Sequence, residues 1–471
     1  MQGPNSNVRS LQGEPTLGDF YSAVGTPIVV DTTNGNERLF ILNSAGEITE
    51  LTSVTLKNTA QLDAFSRLRV SQAMTEFDSQ QEYGLDTRTT WDAAANGTLA
   101  TASSNGSATN GSNLVGPTNS STRMTPLTVS TTSGHYSVLQ SKQYIRYIPG
   151  KSHLILMTGI FSPGTIANND ARAGYFDSAN GVFLKVTNGV ASVVRRTSTS
   201  GSAVDNVVTQ ASWNLDVMDG TGVSGVTLDL TKTQILVIDA QWLGVGRVRI
   251  GFDIGGSLYY VHEFLNANSL LIPYTQTFNL PVRMEIRNTG TSSGTPTIQF
   301  VCCSVQSEGG TESRGFPWSS PSGIVTTAVT TRRPVLSIRP KATFNSRTNR
   351  AHIEEIAFLL RATTNDALYE IVVGGVLTGA AWTSVDADST AEYDTTATAI
   401  TGGASVVKGW AISGSGARAE LSGTTGDLRN PLVLSQIDAL TATQTNISLV
   451  CTAFTGTSNI SPLANWHEQT I

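Results

Sequence analysis

At 471 residues the chain is long enough for two or three domains. Only 14% of residues are charged and the formal net charge is −6, which argues against a general nucleic-acid binder, because phosphate contact needs a basic surface. No apolar stretch approaches the roughly 20 residues that a membrane helix needs.

The deficit of charge is filled by Gly, Ser, Thr and Asn, a mixture that suits strands joined by many turns. The first 58 residues carry one hairpin signal, Arg38 to Leu42 and Ile48 to Val54 about Asn43-Ser44-Ala45-Gly46. A sheet that small is marginal alone, so residues 1–80 read as a docking arm. The opening residues, MQGPNSNVRSLQGEP, lack the charged and apolar regions of a secretory signal, and the expectation is synthesis in a cytoplasm. From Leu62 to Gly84 the spacing is mixed: Leu62 and Phe65 suit a helical turn, whereas Leu68 and Val70 alternate with Arg67, Arg69 and Ser71 as in a strand. From Ala93 to Ser121 small polar residues dominate, and a long surface loop or an intersubunit contact is predicted. Four Asn-x-Ser/Thr triplets start in this region, at Asn96, Asn105, Asn110 and Asn119; they follow from its composition.

Strand signals become dense after Ser137. Tyr144, Arg146 and Ile148 alternate, Leu154 to Met157 is an apolar run, and Gly181 to Arg195 reads as a hairpin with Asn188-Gly189 at its tip. A Trp213-containing strand follows. Gln234 to Phe264 then gives three strands, the last two joined by Gly255-Gly256, and Leu280 to Ile286 and Ile298 to Val305 close the set. The expected fold is all-β: an antiparallel jelly-roll sandwich of the concanavalin or laminin-G type over residues 81–310. Ser307 to Gly323 marks a boundary by its Gly, Pro and Ser content. Beyond it, Val335 to Ile338, His352 to Arg361, Leu368 to Val373, Trp382 to Glu392 and Val406 to Ile412 predict a second β-domain over 311–471.

Candidate chemistry is thin. Asp239, Asp253 and Glu263 lie near one another in sequence, and glycoside hydrolysis needs two flanking carboxylates; the alternatives are a solvated face or an Arg247–Asp253 cross-strand pair. The five histidines (His135, His153, His262, His352, His467) show no HExxH grouping, and no GxSxG turn occurs. Gly244-Val245-Gly246-Arg247 precedes a strand rather than a helix, so its glycines serve a bend and not a phosphate. No catalytic residue and no cofactor is assigned. Asn168, Asn169, Asp170 and Asp177 offer oxygen ligands for calcium without the regular spacing of a calcium-hand loop. Trp213, Trp242, Tyr259 and Tyr260 are the candidates for stacking against a glycan, their alternative being core. Cys302, Cys303 and Cys451 sit in apolar runs and read as reduced core thiols.

Several segments resemble tailed-bacteriophage virion structural proteins. They are DAFSRLRVS (Asp63 to Ser71), FDSQQEYG (Phe77 to Gly84), YIRYIPGKSHLILMTG (Tyr144 to Gly159) and GYFDSANGVFL (Gly174 to Leu184). QWLGVGRVRIGF (Gln241 to Phe252), VHEFLNAN (Val261 to Asn268), NLPVRMEIRNTG (Asn279 to Gly290) and CCSVQSEGG (Cys302 to Gly310) continue the likeness. The resemblance covers roughly Asp63 to Gly310, and the flanks lie outside it. It implies a non-enzymatic virion component: a tail fibre or spike held by its N-terminal arm, or a capsid-decorating or head-fibre protein. The implied partners are other virion proteins (capsid, portal, tail or baseplate), with a homo-oligomer, a trimer by preference, as the assembly state. A host-glycan-binding adhesin is the further alternative, and a polysaccharide-degrading tail enzyme the remaining one.

Overall fold

The computed structural model describes residues 27–31, 38–42, 48–50, 73–100, 103–309, 315–414, 416–420, 434–435 and 443–469. Pro27–Asp31, Arg38–Leu42 and Ile48–Glu50 form an antiparallel three-stranded meander, so the expected hairpin is present with a strand added before it. This meander belongs to a compact unit of its own, residues 1–59. The mixed-pattern stretch through Ser71, DAFSRLRVS included, lies outside the described residues.

Residues 60–471 make the second unit, and it contains two β-sandwiches with separate apolar cores. In the central one, an eight-stranded antiparallel sheet runs edge to edge as Val204–Thr209, Val190–Thr197, Gly181–Thr187, Asn169–Phe176, Val282–Asn288, Tyr136–Ser141, Trp91–Ala95 and Thr98–Leu99. The facing nine-stranded sheet runs Ser257–Phe264, Val248–Ile254, Gln234–Ala240, Ser152–Ile160, Thr297–Glu308, Thr125–Thr128, Asn113–Val115 and Ala108–Asn110. Its ninth strand, Ala73–Gln80, pairs with the far end of Thr297–Glu308. The stretch assigned to the arm therefore ends inside the central sheet.

Alternation explains the core. On Asn169–Phe176, Ala171, Ala173 and Tyr175 point between the sheets, and Leu236, Ile238, Ile250 and Phe252 meet them from the other side. Each fully buried Leu, Ile or Phe side chain there contributes about 1.5–3 kcal/mol. The two expected tight turns form as read. Asn188 and Gly189 both have positive φ, as do Gly255 and Gly256, the backbone of two-residue hairpin loops.

The low-complexity stretch corrects the loop expectation. Ala93, Ala94, Ala95, Ala108 and Val115 are buried in strands of the two sheets. Ala93, Ala95, Ala108 and Val115 join the main core and Ala94 packs with Val138, so low hydrophobicity here does not mean exposure. The asparagines of the triplets also hold structure: Asn105 Oδ1 accepts from the Thr118 amide at 2.7 Å, and Asn119 Oδ1 from Ser121 and Thr122. Trp213 is not in a strand; it follows a single 3-10 turn, Gln210–Ser212.

The C-terminal sandwich packs the sheet Phe316–Ser319, Ser458–Gln469, His352–Ala362, Gly416–Glu420 against a second, six-stranded sheet. That sheet runs Thr383–Ser384, Ala391–Asp394, Arg333–Pro340, Ile447–Ala453, Ala367–Val373, Ala404–Ala411. The predicted Trp382 to Glu392 strand is two short ones. The seam between the sandwiches is polar. His352 Nε2 donates to the Tyr144 carbonyl at 2.6 Å, Arg146 donates to Gln469 Oε1, and Arg350 pairs with Asp177 while lying over the Tyr144 ring.

Candidate functional site

The three carboxylates weighed for chemistry sit on consecutive strands with separate structural duties. Asp239 and Arg249 are paired in register, and Arg249 Nε reaches Asp239 Oδ2 at 3.0 Å with Nη2 closer still. Tyr260 donates to the same oxygen at 3.0 Å, and its ring lies 4.3 Å from the Arg249 guanidinium carbon. Asp239, Arg249 and Tyr260 are all buried. Glu263 faces Arg247 at 3.6 Å, and Asp253 Oδ1 accepts from the Gly256 amide at 2.9 Å. Arg247 thus pairs with Glu263, not with Asp253.

The aromatic candidates divide. Trp213 and Tyr260 are buried, and the Trp213 indole N–H donates to the Val208 carbonyl. Trp242 and Tyr259 are half-buried. Trp242 donates to Thr275 Oγ1 at 2.7 Å and stands edge-on to Tyr147. Tyr147 in turn packs against His153 and Phe278, and His153 against Tyr175. His153 is fully buried in this aromatic nest, and burial pushes its imidazole down to about 4, with the Arg146 backbone opposing.

Around Trp242 the surface changes character. Leu243 and Val245 from one loop, and Leu265, Leu270, Leu271 and Ile272 from another, are exposed, Leu271 completely. The loops are zipped together: the Tyr274 amide donates to the Gly244 carbonyl at 2.9 Å, and Asn266 Nδ2 to the Gly246 carbonyl at 2.7 Å. Gly244 has φ +80, and a Cβ on Gly246 would lie 1.9 Å from the Gln241 carbonyl oxygen. These are the reasons for the two glycines, as the bend reading expected. The result is an apolar rim of exposed side chains on two adjoining loops at one end of the central sandwich. Sequence reasoning missed it, although no charged residue occurs between Leu265 and Pro281.

The outer face of the eight-stranded sheet was also missed. Lys185, Arg172, Glu285 and Val138 lie in one cross-strand row. Arg172 reaches Glu285 at 2.8 Å and Asp170 at 3.1 Å, and Lys185 reaches Asp170 at 3.3 Å. Arg283 and Arg287 complete the group around Glu285. Burial pulls the Glu285 carboxyl up, and the guanidiniums of Arg283, Arg287 and Arg172 more than reverse this, holding it well below the carboxylate range.

The oxygen ligands considered for calcium do not converge. Asp170 accepts from Thr187 and Arg172 at the start of the strand Asn169–Phe176, while Asp177, just past its end, caps the Ala179 and Asn180 amides. Asn168 and Asn169 donate to the Thr291 and Ile166 carbonyls. Among the described residues no group of three or more His, Cys, Asp or Glu could hold a metal ion. Cys303 and Cys451 are buried and Cys302 half-buried; burial pushes the Cys451 thiol up to about 12.

No family model matches the chain, and no curated protein does. Solved structures match at low similarity. The legume lectin-like domain from Entamoeba histolytica is 10% identical with a TM-score of 0.25, covering 46% of this chain and 89% of that one. The exoplasmic/lumenal domain of VIP36, in a Ca2+/Man3GlcNAc-bound form, is 7% identical with a TM-score of 0.26, covering 51% and 91%. A xyloglucan-locus GH43B protein from Bacteroides ovatus is 10% identical with a TM-score of 0.29, covering 57% of this chain and 46% of its own. The fold class is an antiparallel β-sandwich. At these scores the likenesses carry no argument about what the chain binds or does.

Proposed function

We propose that this chain is a non-enzymatic structural component of a tailed-phage virion, attached to other particle proteins and present as a homo-oligomer. The observation that carries the reading is the apolar rim of Leu243, Val245, Leu265 and Leu270 to Ile272, which offers a partner protein a surface to bury. The reading is consistent with the carboxylates near Gln234 to Phe264 being engaged in ion pairs and turn capping rather than opposed across a cleft. The phage assignment itself rests on the sequence resemblance of residues 63–310.

The test is the copy number of the chain in purified virions relative to the major capsid protein, by quantitative mass spectrometry. A few to a few tens of copies places it on the tail or at a vertex, as a fibre or spike. Hundreds of copies makes it a capsid-decorating protein. Its absence from purified particles overturns the proposal.

A further inference from the structure

At the seam between the two sandwiches lies a partly buried carboxyl group, one of whose oxygens has no hydrogen bond. Glu76 lies on Ala73–Gln80, beside the bulge where that strand's register with Thr297–Glu308 shifts between Val305 and Gln306. Its Oε1 is buried and makes no hydrogen bond. The titratable and charged groups facing it come from both sandwiches: Tyr175, Arg146 and Lys151 from the central one, His352 and Glu354 from the C-terminal one. Of these groups Arg146 and His352 also make hydrogen bonds across the seam, and Glu354 holds Gln469 and His352 within the C-terminal sheet. Arg146 donates to Gln469 Oε1, Gln469 Nε2 donates to Glu354 Oε2 at 2.6 Å, and His352 Nδ1 lies 3.4 Å from Glu354 Oε1.

No sheet runs across the seam among the described residues, and the two main apolar clusters share no side chain. The contacts His352–Tyr144, Arg146–Gln469 and Arg350–Asp177 cross it. We propose that this seam is a proton-operated clasp, closed while Glu76 is protonated and loosened when Glu76 ionises. An ionised Glu76 places a carboxylate oxygen out of water beside the Glu354 carboxylate, and opening the seam returns that oxygen to solvent. Burial pushes the Glu76 carboxyl up to about 7; Glu354 adds to this, while His352, Arg146 and Lys151 oppose it. Opening lowers it toward the ordinary carboxylate value and so releases a proton. Closure is accordingly favoured as the pH falls through 7, the sense opposite to that of an ordinary salt bridge formed by a carboxylate.

The experiment is small-angle X-ray scattering of the full chain from pH 8.5 to 5.5, with circular dichroism to confirm that each variant is folded. The wild type is expected to shorten its maximum dimension as the pH falls below about 7, toward the ordinary carboxylate value of 4.5. Glu76→Gln, uncharged throughout, is expected to stay compact at pH 8.5; Glu76→Ala replaces it in the test if Glu76→Gln does not fold. Arg350→Ala is expected to be extended at both ends of the range. A wild type that does not change with pH, or a Glu76 variant that keeps the wild-type transition, overturns the proposal.

Discussion

Asp239 and Arg249 stand opposite each other on neighbouring strands, both shut away from water, with the Tyr260 hydroxyl closing the group 3.0 Å from the shared carboxylate oxygen. A charge buried with its partner is tolerated, and a charge left behind is not. Asp239→Asn or Arg249→Met alone is expected to destabilise the central sandwich by about 3–5 kcal/mol, whereas replacing both with apolar residues of similar volume costs much less. Urea unfolding of the two single variants and the double variant measures the coupling.

His153 gives the central sandwich an acid-sensitive element. Its folded value near 4 lies below the ordinary 6.5, so the unfolded chain binds the proton more readily. The stability it contributes is complete above about pH 6.5 and is lost as the pH falls toward 4. Between pH 7.5 and 5 the loss is about 2 kcal/mol. His153→Phe, which keeps the aromatic nest filled, is expected to flatten this part of the pH–stability curve, read by thermal unfolding at fixed ionic strength.

The apolar rim separates stability from assembly. Leu271 is fully exposed, so Leu271→Glu is expected to change unfolding free energy by less than about 0.5 kcal/mol. Incorporation into particles is expected to fall, as measured by complementing a phage that lacks the protein and counting copies per virion. Full incorporation of this variant together with Ile272→Glu would remove the rim from the docking surface.

Gly246 tests the loop geometry beneath that rim. Gly246→Ala puts a methyl into the Gln241 carbonyl oxygen, at a cost of about 1–3 kcal/mol. Because Trp242 is in the same loop, its fluorescence is expected to shift in the folded variant, whereas Gly256→Ala, with open space around its Cβ, leaves that signal alone.

The strands of Gln234 to Phe264 and the Asn188-Gly189 hairpin were legible in the sequence because period-two patterning and positive-φ turn residues are local signals. The strands around Ala93 to Val115 were not, since a buried alanine in a strand looks the same in sequence as alanine in a loop. For the same reason Trp213 and Tyr260 could not be separated from Trp242 and Tyr259 before folding placed two of them inside. The outer-face group around Glu285 was hidden differently. Arg172 and Glu285 are neighbours across strands yet far apart in the chain, and only the register joins them.

The strand Thr297–Glu308 pairs with Ser152–Ile160 on one side and with both Ala73–Gln80 and Thr125–Thr128 on the other. It is also the last strand of the central sandwich to leave the ribosome. Until it arrives, three earlier strands lack one neighbour, and the sheet cannot be zipped in the order of synthesis. Such long-range closure slows folding and leaves unpaired edges waiting. Completion of the central sheet is accordingly expected only once residue 308 is free of the ribosome.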